Sequence, residues 1–429
     1  MAEPGSLLGS NLELEVGAPG HGGFCIARHE GRVVFVRHAL PGELVRAQVT
    51  EDNGGSYCRA DAVEIVRAAP ERVDPPCPYA GPGRCGGCDW QHVSGPGQRE
   101  LKRQVVLEQF RRFASLDVSA LLGEVEELPG GLLGWRTRIT YAVDRDGRVG
   151  LHRHRSHDIE PVERCLLGVP GVGDGEELDQ QWPGLNALEI VAGGSADGVT
   201  TVVGHRPGAP RKGRGRRAPD RLQVLAGPAE LRHAVGAHTL ISSAEGFWQV
   251  HHHALETFTA AVLEAAGLNP GERVLELYAG AGALTVSLAD AVGPTGSVTG
   301  YEGSRQAVAD AERNLADSPQ AEVRLGRIDA GLVTGATGDG QHAVADGQRP
   351  DVVVLDPPRT GAGVEVMNAI TDAARRAIVY VACDPVSLAR DVAAAEQAGW
   401  QLSALRAFDA FPMTHHVECV ALLVPRLSP

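Results

Sequence analysis

The residue best suited to covalent chemistry in this chain is a cysteine in the stretch YVACDPVSLARD, residues 380–391. The apolar run Ala377–Ala382 predicts a buried β-strand that delivers Cys383 to its C-terminal tip. Pro385 then opens a helix, because proline's missing N–H has no partner in a first turn anyway. A thiol placed there is expected to gain help in ionising from the helix dipole. The C-terminal edge of an open α/β sheet is also where ligands bind. The competing use of such a residue is a buried structural thiol.

A second group of cysteines has metal-ligand spacing. Cys77, Cys85 and Cys88 lie in CPYAGPGRCGGCDWQH, a C-x7-C-x2-C pattern. Paired glycines let the chain turn tightly and aim backbone N–H groups at sulfur. Cys165, in EPVERCLL, is the candidate fourth ligand. Zinc and an iron–sulfur cluster both accept four cysteines, so spacing leaves the choice open. Cys25 and Cys58 fall inside strand-like runs and read as core residues.

Positioning these groups takes a large chain. At 429 residues it has room for two or three domains. A formal net charge of −14 argues against indiscriminate nucleic-acid binding but leaves room for a local basic groove. The start, MAEPGSLLGS, has no basic stretch followed by an apolar run, and no apolar segment is long enough to span a membrane. Clustered cysteines in a chain of this length suit metal or catalytic use better than a disulfide framework. The expectation is therefore a cytoplasmic protein without membrane contact and with no obligate protein partner.

Three segments follow. Residues 1–70 alternate short strand-like runs (12–17, 22–30, 32–40, 43–51 and 57–66) with turns, the pattern of a small barrel. Residues 71–240 hold the cysteine cluster and a helical period over 97–113, a helix able to pack on the catalytic domain. They also hold a basic hairpin, 135–141 with 149–155, and a basic stretch from Arg206 to Arg221 that reads as a mobile loop, either simply solvated or in contact with RNA phosphates. Residues 241–429 alternate strand and helix, with strands at 274–278, 297–302, 322–326, 352–356, 377–382, 402–408 and 418–424. The last two strands have only a loop between them, giving a doubly wound sheet with a terminal hairpin. Gly280 and Gly282, in LELYAGAGALTV, let backbone approach a ligand, and Glu302 ends the second strand where an acid can hold a ribose. Those features suit a nicotinamide cofactor as well as S-adenosylmethionine. The Asp-Pro-Pro of DPPRTG, at Asp356, favours a methyltransferase substrate loop.

The motifs FWQVHHHALETF, LELYAGAGALTV, YEGS, DPPRTG, YVACDPVSLARD and FPMTHHVECVALL together resemble the RNA uracil-5-methyltransferases over nearly the whole chain. The first segment resembles a TRAM domain, an OB-like RNA-binding module. The cysteine segment CGGCDWQH looks like that family's [4Fe–4S] segment, which implies a cluster on Cys77, Cys85, Cys88 and Cys165. The implied architecture is multidomain α/β: a TRAM barrel, a small central α+β iron–sulfur domain and a class I Rossmann-like methyltransferase. The resemblance places S-adenosylmethionine contacts at Gln249, Tyr278, Glu302, Asp329 and Asp356, the nucleophile at Cys383 and the base at Glu418. The combination of TRAM and cysteine segments looks more like the ribosomal-RNA branch than the transfer-RNA branch. The chain departs from the pattern at three positions. His251 stands for the usual Asn of Gln-x-Asn, Ala283 for an Asn of some members, and Asp384 for the Asn after the nucleophile.

C5 of uracil is too weakly nucleophilic to attack a methyl sulfonium directly. Addition of a Cys383 thiolate to C6 would create an enolate that makes C5 reactive. Glu418 would then remove the C5 proton, given a dry pocket that raises its basicity. The target base must leave its stack, and Phe247, Trp248 and Phe411 are aromatic residues able to stack on it. Two rivals stand beside this reading. One is a methyltransferase acting on an exocyclic amine, which needs neither Cys383 nor Glu418. The other is a non-catalytic iron–sulfur RNA-binding protein.

Overall fold

The computed structural model describes residues 6–194, 198–209, 218–335 and 349–426. The N-terminal unit is a six-stranded sheet. Its order is Asn11–Glu15, Leu44–Glu51, Tyr57–Arg67, Arg32–Arg37, Phe24–His29 and the short Pro19–Gly20. Alternate residues point inward, as a sheet with one dry face requires. Leu14, Val34, Val45 and Ala47 form its core, and Cys25 and Cys58 are buried among them.

The helix Gly95–Ala114 starts at Ser94, whose side chain accepts from Gly97 N, and ends at Ser115 in a left-handed conformation. Val106 and Phe110 join the same core cluster as Leu388 and Leu405 of the C-terminal unit. Lys102 is fully buried and forms an ion pair with Asp409; it also donates to Phe411 O at 3.0 Å.

A second six-stranded sheet runs Ile159–Pro161, Val149–His152, Arg138–Val143, Ala187–Ala192, Thr200–Arg206 and Arg221–Ala226. The basic hairpin is present, with Ala142 opposite Gly150, but its first strand starts three residues later than expected. Trp135 is instead fully buried, in a cluster with Leu167 and Met413. Nor is the hairpin an open cationic face. Arg138 meets Glu189 at 3.2 Å, Arg153 meets Glu160 at 3.0 Å and Arg155 meets Glu51 at 2.9 Å. The basic stretch is a loop only in part, because Arg206 and Arg221 face each other as paired strand residues. Its residues 210–217 lie outside the described residues. A two-stranded hairpin, Glu230–Val235 with His238–Ser243, was not foreseen.

The C-terminal unit carries the site. Its elements are β1 (Arg273–Leu277), α1 (Ala283–Val292), β2 (Ser297–Glu302), α2 (Arg305–Asn314), β3 (Ala321–Leu325), α3 (Ala330–Thr334), β4 (Val352–Leu355), α4 (Val364–Ala373), β5 (Ala377–Ala382), α5 (Pro385–Gln397), β6 (Trp400–Asp409) and β7 (Glu418–Pro425). The strand order is β3-β2-β1-β4-β5-β7-β6, followed by Glu126–Glu127. Strands β1 to β5 run parallel to one another, and β7 is antiparallel to both β5 and β6. β4 and β5 are buried throughout, which explains why they read as unbroken apolar runs. The two residues Glu126–Glu127 pair with the outer strand β6 and cover part of its open edge.

Candidate active site

Parallel pairing brings the C-terminal ends of five strands to one edge. Leu277 lies opposite both Tyr301 and Leu355, Leu355 opposite Tyr380, and Glu302 opposite Leu325. Tyr278, Glu302, Asp356 and Cys383 follow from that alignment, each at or just past a strand end.

Strand β7 enters the same edge from the other direction. Its register with β5 pairs Ala382 with Cys419. Continued by one residue, it sets Cys383 opposite Glu418, and directly opposed side chains share a face of the sheet. Glu418 is only 4% exposed. Burial drives its carboxyl well above the usual range and the neighbouring Asp356 adds to the rise, while Arg359 opposes it. Burial likewise lifts Asp356 to about 7. The Cys383 thiol is pushed up to about 12, first by burial and then by Glu418 and Asp356, with Arg359 again opposing. The helix dipole was expected to favour the thiolate. It does not prevail against burial and the neighbouring carboxylates, and Asp384 takes the α5 cap itself, accepting from Val386 N at 3.0 Å and Ser387 N at 2.9 Å.

Two loops hold these groups. The first carries Arg359. Tyr380 Oη donates to Asp391 Oδ2 at 2.6 Å, and that carboxylate accepts Ala362 N at 2.8 Å and Gly363 N at 3.1 Å. Gly361 has φ +81°, and a Cβ there would stand 2.7 Å from Asp391 Oδ2, so the closure requires glycine. The second loop, between β6 and β7, leads into Glu418. Asp89 N and Trp90 N donate to Met413 O at 2.9 and 3.0 Å, and Gln98 Oε1 accepts Met413 N at 2.7 Å. Met413 sits at φ +67°, a strained conformation for its side chain that this grip sustains. His415, on the same loop, is held by Asp89 through Nδ1 at 2.6 Å, and His416 Nε2 lies 3.4 Å from Arg359 Nη2.

The turn after β1 is shaped for a ligand. Tyr278 has φ +65°, Gly280 +56° and Gly282 +78°, and a Cβ on Gly280 would meet nothing within 4 Å. Glu302 accepts Gly280 N at 3.1 Å and Ser304 N at 2.7 Å, fixing its carboxylate beside that turn. Asp329 caps α3, accepting Leu332 N at 2.9 Å. Gln249 is half-buried in the segment before the helix Ala254–Ala266. Its neighbour Val250 is pinned there by Thr137, whose N and Oγ1 donate to Val250 O at 2.7 and 3.0 Å. His251 is 2% exposed and stacks on Trp135 at 5.6 Å. Burial lowers its imidazole to about 3, so it sits there uncharged. Ala283 is simply the first residue of α1. Of the three aromatic residues considered for base stacking, Trp248 stacks on His233 at 3.9 Å and Phe411 packs edge-on to Trp135. Phe247 alone of the three is exposed, at 76%.

The four clustered cysteines lie apart from this edge, behind the second loop. All are free thiols. Cys88 and Cys165 pack against the cluster of Trp135, Leu167 and Met413. Cys85 is raised to about 11, by burial first and then by the nearby Cys165 and Cys77, so the four sulfurs share one neighbourhood. Gly87 N donates to Cys85 Sγ at 3.4 Å and Gln91 Nε2 to Cys88 Sγ at 3.3 Å. Among the described residues, no group of three or more His, Cys, Asp or Glu side chains closes to the distances of a single bound ion.

Three features escaped the sequence reading. Arg359, the cation between thiol and carboxylates, lies inside DPPRTG, but no charge pattern marks it out. Glu276 looks like an ordinary strand residue, yet it is 2% exposed, accepts Thr285 Oγ1 at 2.6 Å, and is raised to about 8 by burial, with Asp356 and Glu302 adding to the rise. Asp391 lies eleven residues from Tyr380, and only the fold joins them.

The family described as tRNA (Uracil-5-)-methyltransferase matches residues 244–426, and the TRAM domain matches residues 5–63. An uncharacterized RNA methyltransferase of Streptomyces avermitilis is 42% identical over 97% of this chain and 99% of its own. Another, from Streptomyces coelicolor, is 42% identical over 99% and 95%. The chain belongs to the RNA uracil-5-methyltransferase family. It is an RNA methyltransferase of this S-adenosylmethionine-dependent class, with a TRAM domain at its N-terminus. The Pyrococcus abyssi tRNA (uracil-54, C5)-methyltransferase, solved with S-adenosyl-L-homocysteine, has the same fold. It aligns with a TM-score of 0.66 at 21% identity, over 96% of this chain and 99% of that one. No helix among the described residues is long and apolar enough to cross a membrane.

Proposed function

We propose that this chain methylates C5 of a uridine in RNA through a transient bond between Cys383 Sγ and C6 of the base. The observation that carries the reading is the β5–β7 register, which sets Cys383 opposite the buried Glu418. Cys383 adds to C6 after losing its proton to a neighbouring carboxylate. Asp356, near 7, is the one that titrates in the working range. Addition leaves an enolate whose C5 is nucleophilic. S-adenosylmethionine supplies the methyl group when bound, in the turn of Tyr278, Gly280 and Gly282 with Gln249, Glu302 and Asp329 around it. Glu418 then takes the C5 proton, the C6–S bond breaks and the thiolate is regenerated. A carboxyl raised by burial is a stronger base once ionised, which suits removal of a carbon-bound proton. Arg359 supports each anion in turn. The base reaches this edge by leaving its stack, with Phe247 as an exposed aromatic residue able to stack on it.

Replacing Cys383 by Ala abolishes turnover and any covalent RNA adduct. Glu418→Gln slows elimination and accumulates the adduct, seen as a protein–RNA band stable to denaturant. A fully active Gln variant removes Glu418 from the mechanism. An active Ala variant overturns the covalent route in favour of direct transfer to an exocyclic amine.

The TRAM domain and the four-cysteine segment together favour ribosomal RNA as the target. Mass-spectrometric mapping of methylated uridines in ribosomal and transfer RNA, with and without the protein, tests this. Sites confined to transfer RNA overturn it. Cys77, Cys85, Cys88 and Cys165 are the ligands we assign to a [4Fe–4S] cluster. Support comes from four free thiols in one neighbourhood, with N–H donors at Cys85 and Cys88. When bound, the cluster supplies a structural tie rather than electrons, since methyl transfer consumes none. Iron and sulfide analysis of protein purified without oxygen checks the assignment.

A further inference from the structure

The N-terminal barrel touches the rim of the active site with one side chain. The turn between Pro19–Gly20 and Phe24–His29 carries His21, flanked by Gly20, Gly22 and Gly23. Gly23 has φ +80°, and a Cβ there would stand 2.6 Å from Asp89 Cγ, so the turn presses against the segment that grips the β6–β7 loop. From this turn, His21 Nε2 comes within 3.0 Å of Asp384 Oδ2. The two oxygens of Asp384 are thus divided. Oδ1 caps α5, and Oδ2 belongs to the barrel.

The second oxygen bears on the neighbouring thiol. Facing Cys383 are Glu418, Asp356, Asp384 and Cys419, with Arg359 as the cation among them. Every carboxylate in that set disfavours the thiolate. Facing His21 are Asp384 and the ring of His415, edge-on at 6.1 Å. His415 is bound to Asp89, and Arg37 from the barrel lies 3.5 Å from the same Asp89. Burial works to raise the Asp384 carboxyl, but the hydrogen bond from His21 and those from the α5 backbone hold it below its ordinary value.

We propose that His21 is a positioning residue for Cys383, drawing the charge of Asp384 toward the barrel and away from the sulfur. Barrel docking then sets the reactivity of the thiol, and the barrel completes the active site besides binding RNA. This rests on reading Cys383 as the nucleophile.

The test uses the full-length chain as wild type, His21→Ala, Asp384→Asn and the double variant. The rate at which iodoacetamide alkylates Cys383 is followed against pH by mass spectrometry of its peptide, without RNA or cofactor. His21→Ala is expected to move the profile to higher pH and to slow alkylation several-fold at neutral pH. Adding Asp384→Asn should restore it, because an amide keeps the helix cap and has no charge to misdirect. In methyl transfer, His21→Ala should lower kcat while KM for RNA stays within about twofold. An unmoved alkylation profile overturns the proposal. So does a double variant as slow as His21→Ala, or a rise in KM alone, which would make His21 an RNA contact. If Cys383→Ala still transfers methyl groups, the nucleophile reading fails by itself, while the alkylation profile still reports on His21.

Discussion

Lys102→Met tests how the N-terminal half of the chain holds the catalytic half. Lys102 has no exposure, and its ammonium pairs with Asp409 at the end of β6 and donates to Phe411 O. Asp409 is 1% exposed, and its Oδ2 has no hydrogen-bond partner among the described residues. Methionine matches the stem of lysine but removes the charge. Stranding a buried carboxylate costs about 3–5 kcal/mol, and the orphaned carbonyl of Phe411 adds about 1 kcal/mol. Because a whole domain is stable by only about 5–15 kcal/mol, the catalytic unit should unfold at markedly lower urea. The double variant Lys102→Met, Asp409→Leu removes both charges and should recover most of the loss, since apolar replacement of a buried pair is often neutral or better. Urea titration followed by tryptophan fluorescence measures both. A Lys102→Met protein within about 1 kcal/mol of wild type, or a double variant no better than the single, would show that the pair carries no such weight.

Other perturbations have distinct signatures. Burial raises the Glu276 carboxyl to about 8, so the fold favours its protonated form. The stability this confers is present at low pH and is lost as pH climbs from the ordinary carboxylate range through about 8. Glu276→Gln should therefore flatten the stability profile over that window, by roughly 4–5 kcal/mol at most; an unchanged slope in urea titrations across pH 5–9 refutes it. Gly361→Ala places a Cβ 2.7 Å from Asp391 Oδ2 at φ +81°. It should cost about 1–3 kcal/mol and displace Arg359, lowering kcat more than the affinity for S-adenosylmethionine. Cys85→Ser should lose bound iron, speed hydrogen exchange over residues 411–417 and weaken RNA binding, while calorimetry finds S-adenosylmethionine affinity retained. Normal RNA affinity in that protein counts against the structural tie.

The C-terminal sheet was legible because buried parallel strands are written as apolar runs, and β1 to β7 fall within a residue or two of the strands expected from the sequence. The glycine turn after β1 was equally plain, since positive φ selects glycine. The middle sheet was harder. Its strands are held by pairings such as Arg206 with Arg221, where a run of charge reads as a loop and strand structure depends on a distant partner. The surroundings of Cys383 could not be read from local pattern at all. The helix N-terminus promised an easily ionised thiol, but burial first, and then Glu418 and Asp356 from other strands, keep the proton on the sulfur, while Asp384 occupies the cap. Likewise the hairpin read as a cluster of basic residues, and its partners Glu51, Glu160 and Glu189 come from distant parts of the chain.

The grip on Met413 has a consequence for biosynthesis. Its anchors at Asp89, Trp90 and Gln98 emerge from the ribosome more than three hundred residues before the loop they clasp. A nascent chain must keep that clasp open until the β6–β7 loop has itself been made. The catalytic edge is therefore completed by a long-range clasp rather than by local folding, and no stretch of the chain short of that loop can form it.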